Sequence, residues 1–413
     1  MCGGQTFCLL RCCCCSKTDS PLIVEEFTSI SESSRRLLIF VNPKSGAGLG
    51  ARVFKQKVFP ALNQNAIRFE LIKTEFPGHA ANIVKTRTDL LDFNAILIVS
   101  GDGLIFEVVN AIIERSDCTQ ILSNLPFAIV PCGSGNGLLS SVFAHQRLAI
   151  GNDVFVNTAI EALTNSDAIS LPVNLIKIQT PDRTFGSFLS IGFGLLAEID
   201  IESESLRTIC GGNRFFWGAI RRILSLRSYR ARLSFLEAPT DLAPDETEPI
   251  SVYEEKLIEK QPNHVDTTKT SDVWSSYVQT EVPNLDVPVQ STWKTIEDEF
   301  ISVYAVSTSH ISNINIYAPD AQLNEQQMHL TYILKRDIPN RAAIAKFLTA
   351  FETHQHLELP FCHYVKVRAF RLELLEDTRQ SPFVVDGELI PFSGSVQKLQ
   401  AVVSKLCMRV LTE

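Results

Sequence analysis

Long apolar runs are missing from this 413-residue chain. None approaches the roughly 18–20 residues of a membrane-spanning helix, so no transmembrane helix is expected. The apolar stretch near the start is short and cysteine-rich, so a secretory signal is not expected either. The chain does not begin Met-Gly, and myristoylation is not indicated. Metal-ligand cysteine spacing is absent, since Cys118, Cys132, Cys210, Cys362 and Cys407 are scattered. A reducing, cytosolic compartment is expected. An excess of positive charge is also lacking: the net charge is −8, which argues against a nucleic-acid partner. No internal repeat, no GK[ST] phosphate loop and no G-x-G-x-x-G dinucleotide fingerprint occurs.

What is present is unevenly placed. Between Asp241 and Glu299 stand fourteen acidic and four basic residues, which leaves the rest of the chain near neutral. That stretch is rich in Pro, Thr and Ser, and residues 240–298 read as a disordered acidic insertion. Trp274, Tyr277 and Trp293 inside it read as incidental rather than as a partner motif. Residues 1–35 read as a flexible tail. Six cysteines crowd its first fifteen positions: Cys2, Cys8, Cys12, Cys13, Cys14 and Cys15. Such a cluster suggests S-palmitoylation and peripheral membrane attachment, with adventitious metal binding or no role as alternatives.

Hydrophobic periodicity divides the remainder. Short buried strands at 36–41, 69–72, 95–99 and 127–130 alternate with helical patterns at 48–62, 79–86 and 104–115. Residues 36–168 are therefore expected to be a doubly wound α/β domain with a mostly parallel sheet. From 169 to 395 the pattern turns to long alternating runs, at 173–179, 185–191, 231–236, 300–307, 329–334 and 364–375. These predict an antiparallel β-sandwich. The end segment 396–413 is a candidate to rejoin the first domain.

Ser100-Gly101-Asp102-Gly103 follows the buried run Ala95-Ile96-Leu97-Ile98-Val99 and opens a helix. In open α/β sheets that edge binds ligands. The glycines admit an anionic ligand to the backbone. The aspartate can accept a proton from a hydroxyl or orient a metal, although Asp-Gly is also an ordinary turn. Asn42-Pro43-Lys44-Ser45-Gly46-Ala47-Gly48 and Pro131-Cys132-Gly133-Ser134-Gly135-Asn136-Gly137 also stand between a strand and a helix. Their amides, with Lys44, suit a polyphosphate. Thr74 ends another strand and offers a hydroxyl. His79 reads as a capping or positioning residue.

Together these three strand ends resemble the catalytic region of the diacylglycerol-kinase-like lipid kinases. Ser before Gly101, and Gly-Ser-Gly-Asn, resemble sphingosine kinases in particular. The likeness continues through Leu171-Pro172-Val173-Asn174-Leu175, Ser190-Ile191-Gly192-Phe193-Gly194, Asp200-Ile201-Glu202-Ser203-Glu204, Arg214-Phe215 and Leu226-Arg227-Ser228-Tyr229-Arg230. Ala369-Phe370-Arg371-Leu372 and Val385-Asp386-Gly387-Glu388-Leu389 extend it. The likeness spans about residues 36–236 and 300–395. It implies a Rossmann-like nucleotide-binding domain, a lipid-binding β domain, and an active site between them. It further implies ATP and Mg²⁺ as cofactors and a long-chain sphingoid base as substrate, phosphorylated on its primary hydroxyl.

By the same resemblance Asp102 is the general base. Asn42, Lys44, Ser45, Gly46, Thr74, Gly101, Gly103, Gly133, Ser134, Gly135 and Asn136 surround the phosphates. Arg207 and Arg214 reach the phosphates from the second domain. Asp386, Gly387 and Glu388 serve the nucleotide end, with Asp386 and Glu388 as metal ligands. Asp200 and Ser190 hold the amine and hydroxyl of the base. Two residues before Asp200 stands Glu198, where relatives often carry Asp.

Residues 214–232 form a basic amphipathic stretch. Phe216, Trp217, Ala219, Ile220, Ile223, Leu224 and Leu226 make its apolar face, with Arg214, Arg221 and Arg222 opposite. Such a helix suits a lipid gate, a membrane surface or a calmodulin-like partner, or simply packs on its own domain. The alternatives to a sphingoid-base kinase are a diacylglycerol or ceramide kinase and a non-catalytic lipid- or calmodulin-binding module. Asp102 and both phosphate loops speak against the last.

Overall fold

A computed structural model describes residues 25–27, 35–204, 214–239, 273–351, 353–375 and 382–413. The first half is a parallel sheet of β2 (Arg36–Val41), β3 (Arg68–Lys73), β4 (Ala95–Ser100) and β5 (Phe127–Pro131), in the order β3-β2-β4-β5. Strand alternation sends successive side chains to opposite faces. Leu38, Phe40, Ile96, Ile98, Phe127 and Ile129 face one apolar core. Leu37, Ile39, Val41, Leu97, Val99 and Val130 face the other. Both faces are covered, which is why these strands read as unbroken apolar runs.

On one side lies a helical run of α1 (Leu49–Val53), a π turn (Phe54–Val58) and α2 (Phe59–Gln64). Ile160 and Leu163 of α7 (Asn152–Thr164) share that core. On the other side pack α3 (His79–Thr86), α4 (Asp102–Ile113), α5 (Cys118–Asn124) and α6 (Gly137–His145).

The β-rich half contains β6 (Ile169–Gln179), β7 (Thr184–Ser187), β8 (Ser190–Gly194), β9 (Tyr229–Glu237), β10 (Lys294–Val306), β11 (Met328–Leu334) and β12 (His363–Leu374). The short strands β13 (Phe383–Val385) and β14 (Glu388–Ile390) complete it. The run 185–191 is two strands, not one. Strands β10 and β12 change partners along their length, with register shifts between Phe300 and Ser302 and between Val367 and Ala369. Each thereby pairs with β9 as well as with its neighbours in the main strand order. The last strand, β15 (Lys398–Thr412), ties the halves together. Val410 pairs parallel with Phe127 of β5, while the rest of the strand runs antiparallel to β6 and β12.

Two expectations change. Residues 273–298 are not a disordered insertion. Trp274, in α10 (Trp274–Tyr277), and Trp293 are 2% and 5% exposed, and β10 begins at Lys294. The buried Arg371 guanidinium fastens this segment by donating to the carbonyls of Pro283, Asn284 and Val287. Large aromatic area and carbonyl pairing outweigh the acidic composition there. Residues 240–272 lie outside the described residues. In the tail, β1 (Glu25–Phe27) pairs antiparallel with β3, Glu26 opposite Glu70. The remainder of 1–34, with all six of its cysteines, lies outside the described residues. Among the described residues no helix is long and apolar enough to cross a membrane.

Candidate active site

Three glycine-rich loops meet at the C-terminal edge of the parallel sheet. The Cys132 amide donates to Ser100 O (2.9 Å), the Asn42 amide to Val99 O (3.4 Å) and the Thr74 amide to Val41 O (2.9 Å). A Cβ on Gly101 would stand 2.8 Å from Gly133 Cα, so the two loops touch through bare backbone. This close approach is the reason for glycine at both positions.

Asp102 is the first residue of α4. Its Oδ2 accepts from the Gly137 amide (2.9 Å) and its Oδ1 from the Leu138 amide (3.3 Å), the first donors of α6. The carboxylate thus sits at two helix N-termini, where negative charge is favoured. Burial nevertheless pushes its pKa above the ordinary carboxylate range, against the pull of the Gly137, Leu138 and Asn136 amides. The result is a fixed carboxylate with raised basicity, the property a proton acceptor needs.

The phosphate-loop residues divide. Lys44 and Ser134 are exposed, Thr74 is half-buried, and the Lys44 amide is fixed by Asn42 Oδ1 (2.9 Å). Ser45 turns inward: its buried hydroxyl donates to Cys132 O (3.0 Å), binding one loop to the other beside Gly46. Asn136, at φ +58°, also turns inward. Its Oδ1 accepts from the Gly133 amide (2.9 Å) and its Nδ2 donates to Gly133 O (3.0 Å). Both side chains shape the loops rather than offering a free group. His79 Nδ1 accepts from the Glu75 amide (3.2 Å), a positioning role.

The β-rich half reaches across. The Asn313 amide donates to Gly135 O (3.0 Å), and the His310 amide donates to Ser141 Oγ (3.0 Å). The backbone of His310 and Ile311 covers Gly137 so closely that a Cβ there would meet His310 O at 2.9 Å. The sequence did not single out residues 310–313. They hold the third loop through main-chain groups, and no glycine or charge marks them.

Opposite lie Ser190 at the start of β8, Asp200 in α8 (Leu195–Glu204) and Tyr304 in β10. The Tyr304 ring lies flat on Gly192, where a Cβ would come 2.9 Å from Cε2. Its hydroxyl stands beside Ser190. Burial first, then the charges of Asp200 and Asp386, hold the Tyr304 phenol protonated far above neutral pH. Tyr304 was also missed, because one tyrosine in an alternating strand carries no signal of its own.

The 386–388 turn joins the two sides. A Cβ on Gly387 would stand 3.8 Å from Asp200 Oδ2, and one on Gly103 would collide with Glu388 Oε1. Asp386 itself is 2% exposed and is not a free metal ligand. Oδ1 accepts from Ser187 Oγ (2.7 Å) and from the amides of Leu189 (3.0 Å) and Ser190 (2.9 Å), and Oδ2 from the Phe188 amide (3.0 Å). Burial pushes its carboxyl up to about 7 against those four donors. Among the described residues no group of three or more His, Cys, Asp or Glu side chains could hold an ion. A nucleotide-borne Mg²⁺ needs only one or two carboxylates beside phosphate and water. The exposed Glu388 fits that part and Asp386 does not.

Arg207 lies outside the described residues. Arg214 opens α9 (Arg214–Leu224), with its side chain outside them. The wheel expected for this helix is rotated. Arg222 is 1% exposed, whereas Trp217 and Leu224 are 51% and 67% exposed. Arg222 turns inward because two carboxylates of α8 await it.

Known proteins resemble this chain in sequence and fold. The diacylglycerol kinase catalytic domain family matches residues 36–175. The crystal structure of a diacylglycerol kinase from Bacillus anthracis aligns with a TM-score of 0.53 at 13% identity, over 92% of this chain and 97% of that one. That likeness shows the fold. Sphingosine kinase 1 of Caenorhabditis elegans is 38% identical, over 86% of this chain and 77% of its own. Sphingosine kinase 1 of Homo sapiens is 32% identical, over 86% of each chain. Identity of this order over most of the chain makes it an ATP-using lipid kinase of the sphingosine kinase family.

Proposed function

We propose that this kinase transfers the γ-phosphoryl group of ATP to the primary hydroxyl of a sphingoid base. The observation that carries the reading is the 386–388 turn, with Asp200 at Gly387 and Glu388 over Gly103, next to Asp102. A carboxylate suited to an ammonium therefore stands one short turn from the base suited to a hydroxyl. A sphingoid base carries an amine beside its primary hydroxyl, the two groups that these two carboxylates suit. The names of the relatives support the same substrate class.

Phosphoryl transfer asks mainly for positioning and charge neutralisation. The loop amides, Lys44, Thr74 and Ser134 hold the phosphates, joined by Arg207 and Arg214. Asp102 takes the hydroxyl proton as the oxygen bonds to the γ-phosphorus and the bond to the β-phosphate oxygen breaks, releasing ADP. Mg²⁺, held through Glu388, would neutralise phosphate charge. Asp200 pairs with the ammonium while Ser190 and Tyr304 present hydroxyls beside it. The exposed Trp217 and Leu224, with Arg221 exposed between them, suit peripheral contact with a lipid surface or a calmodulin-like partner. Acylation of the cysteine cluster between Cys2 and Cys15 would add an anchor to an otherwise cytoplasmic protein.

The test is transfer of labelled phosphate by the purified chain to sphingosine, an N-acylated sphingosine and diacylglycerol. Sphingosine should be the preferred acceptor by at least an order of magnitude. Equal or better transfer to diacylglycerol would overturn the reading in favour of a neutral-lipid kinase.

A further inference from the structure

We propose that Arg222, with Glu202 in its fork and Glu198 beside it, is a positioning residue that sets the roll of α8 and thereby aims Asp200 at the substrate amine. The inference rests on the amine-binding reading of Asp200 given above. Residues four apart share a helix face, and the residue midway between them lies on the opposite face. Glu198 and Glu202 are such a pair, and Asp200 is midway. The two glutamates look towards α9 and β9, while Asp200 looks towards Gly387.

The glutamate face is locked from three sides. Arg222 Nε donates to Glu202 Oε2 (2.8 Å), and Nη2 bonds Glu202 Oε1. Arg222 Nη1 makes no hydrogen bond and stands 3.5 Å from Glu198 Oε2. Glu198 Oε1 accepts from the Tyr229 hydroxyl and from Arg227 Nη1 (3.1 Å). Glu198 and Arg222 are 2% and 1% exposed. Burial, with the bond to Glu198, raises the Tyr229 phenol to about 12, so it remains a donor. A Cβ on Gly218 would stand 3.2 Å from Ser203 Cβ and 3.4 Å from Ile199 O, so α9 lies close against α8.

Burying two charges is not needed to pack two helices, and an apolar pair of similar volume is often as stable. What the pair adds is geometric specificity. The fork of Arg222 grips Glu202 at two points and so fixes the rotation of α8. A slip of one residue on α8 would turn Asp200 by about 100° away from the 386–388 turn.

The test uses the purified full-length kinase in a double-mutant cycle. Arg222→Lys keeps the charge and loses the fork. It should lower kcat/KM for sphingosine about ten-fold, mainly through KM, while KM for ATP stays within two-fold. Combined with Asp200→Asn it should cause no further loss, because there is no carboxylate left to aim. Tyr229→Phe removes one hydroxyl and should give about a three-fold loss with the same pattern. It serves as the readout if Arg222→Lys does not fold. Equal losses with and without Asp200→Asn, or a matching rise in KM for ATP, would show a structural pair and overturn the proposal. If Asp200→Asn alone leaves sphingosine turnover unchanged, the amine reading fails and the clamp fails with it. If Asp200→Asn acts as expected while the second substitution adds its full loss, the clamp alone fails.

Discussion

The two walls of the cleft are made of different material. The wall at the parallel sheet is backbone: Gly101 touches Gly133, and Asp102 is held by two amides of α6. The opposite wall is side chains. Asp386 gathers residues 187–190, Tyr304 stands beside Ser190, and Arg222 grips α8. Phosphate is bound well by any cluster of amides at helix ends, so the first wall needs small residues in tight turns. Telling one lipid headgroup from another needs placed charges, and these are held by partners distant in sequence.

The largest expected effect strikes the first wall. Asp102→Asn should lower turnover by roughly 10²–10⁴-fold. ATP affinity should persist, and thermal stability should fall only modestly, because Asn keeps one acceptor oxygen for the Gly137 and Leu138 amides. Kinetics with a parallel thermal melt checks both. Near-normal turnover would mean that this wall only binds.

The seam between the walls comes next. Trp274 and Ile113 of α4 enclose Gly186 of β7. Trp274→Ala should destabilise the protein by about 3–5 kcal/mol, read by denaturant unfolding. A loss below about 1 kcal/mol would return residues 273–298 to the status of a dispensable insertion.

Asp386→Asn probes the second wall. An amide offers one acceptor oxygen where the carboxylate accepts four hydrogen bonds, which costs stability, but it also removes the charge that burial disfavours, so the net change at pH 8 should be small. The pH dependence has a definite sign. A carboxyl raised from an ordinary 3.8 to about 7 binds a proton in the folded state that the unfolded chain has released. Its contribution therefore weakens stability as pH rises from about 4 to about 7. Unfolding of wild type and variant across that range should diverge accordingly; parallel curves would remove the titration from Asp386.

The contrast also governs what the sequence disclosed. The backbone wall was legible, because a glycine-rich loop after an apolar run is a local pattern. Strands β2 to β5 lie within a residue or so of their expected bounds, and α3 matches at both ends. The loop side chains were less legible: Ser45 and Asn136 look like ligand groups in a motif, yet they bond to Cys132 and Gly133. The second wall depends on long-range pairing. Asp386 meets Ser187 from nearly two hundred positions away, and Arg222 meets Glu202 from another helix. A helical wheel assigned Arg222 to solvent because it counts polarity and not partners. The acidic composition around Trp274 misled for the same reason, since burial is decided by contacts.

The smallest of these effects bears most directly on substrate identity. A charge-assisted hydrogen bond between Asp200 and the substrate ammonium is worth roughly 1.5–3 kcal/mol. Asp200→Asn keeps the shape and removes the charge. The decisive measurement is kcat/KM of wild type and variant on sphingosine and on its N-acylated form, with KM for ATP alongside. Sphingosine should lose about 10- to 150-fold, the acylated lipid should lose little, and KM for ATP should hardly move. Equal losses on both lipids would contradict the account, because Asp200 would then shape the cleft without reading the amine.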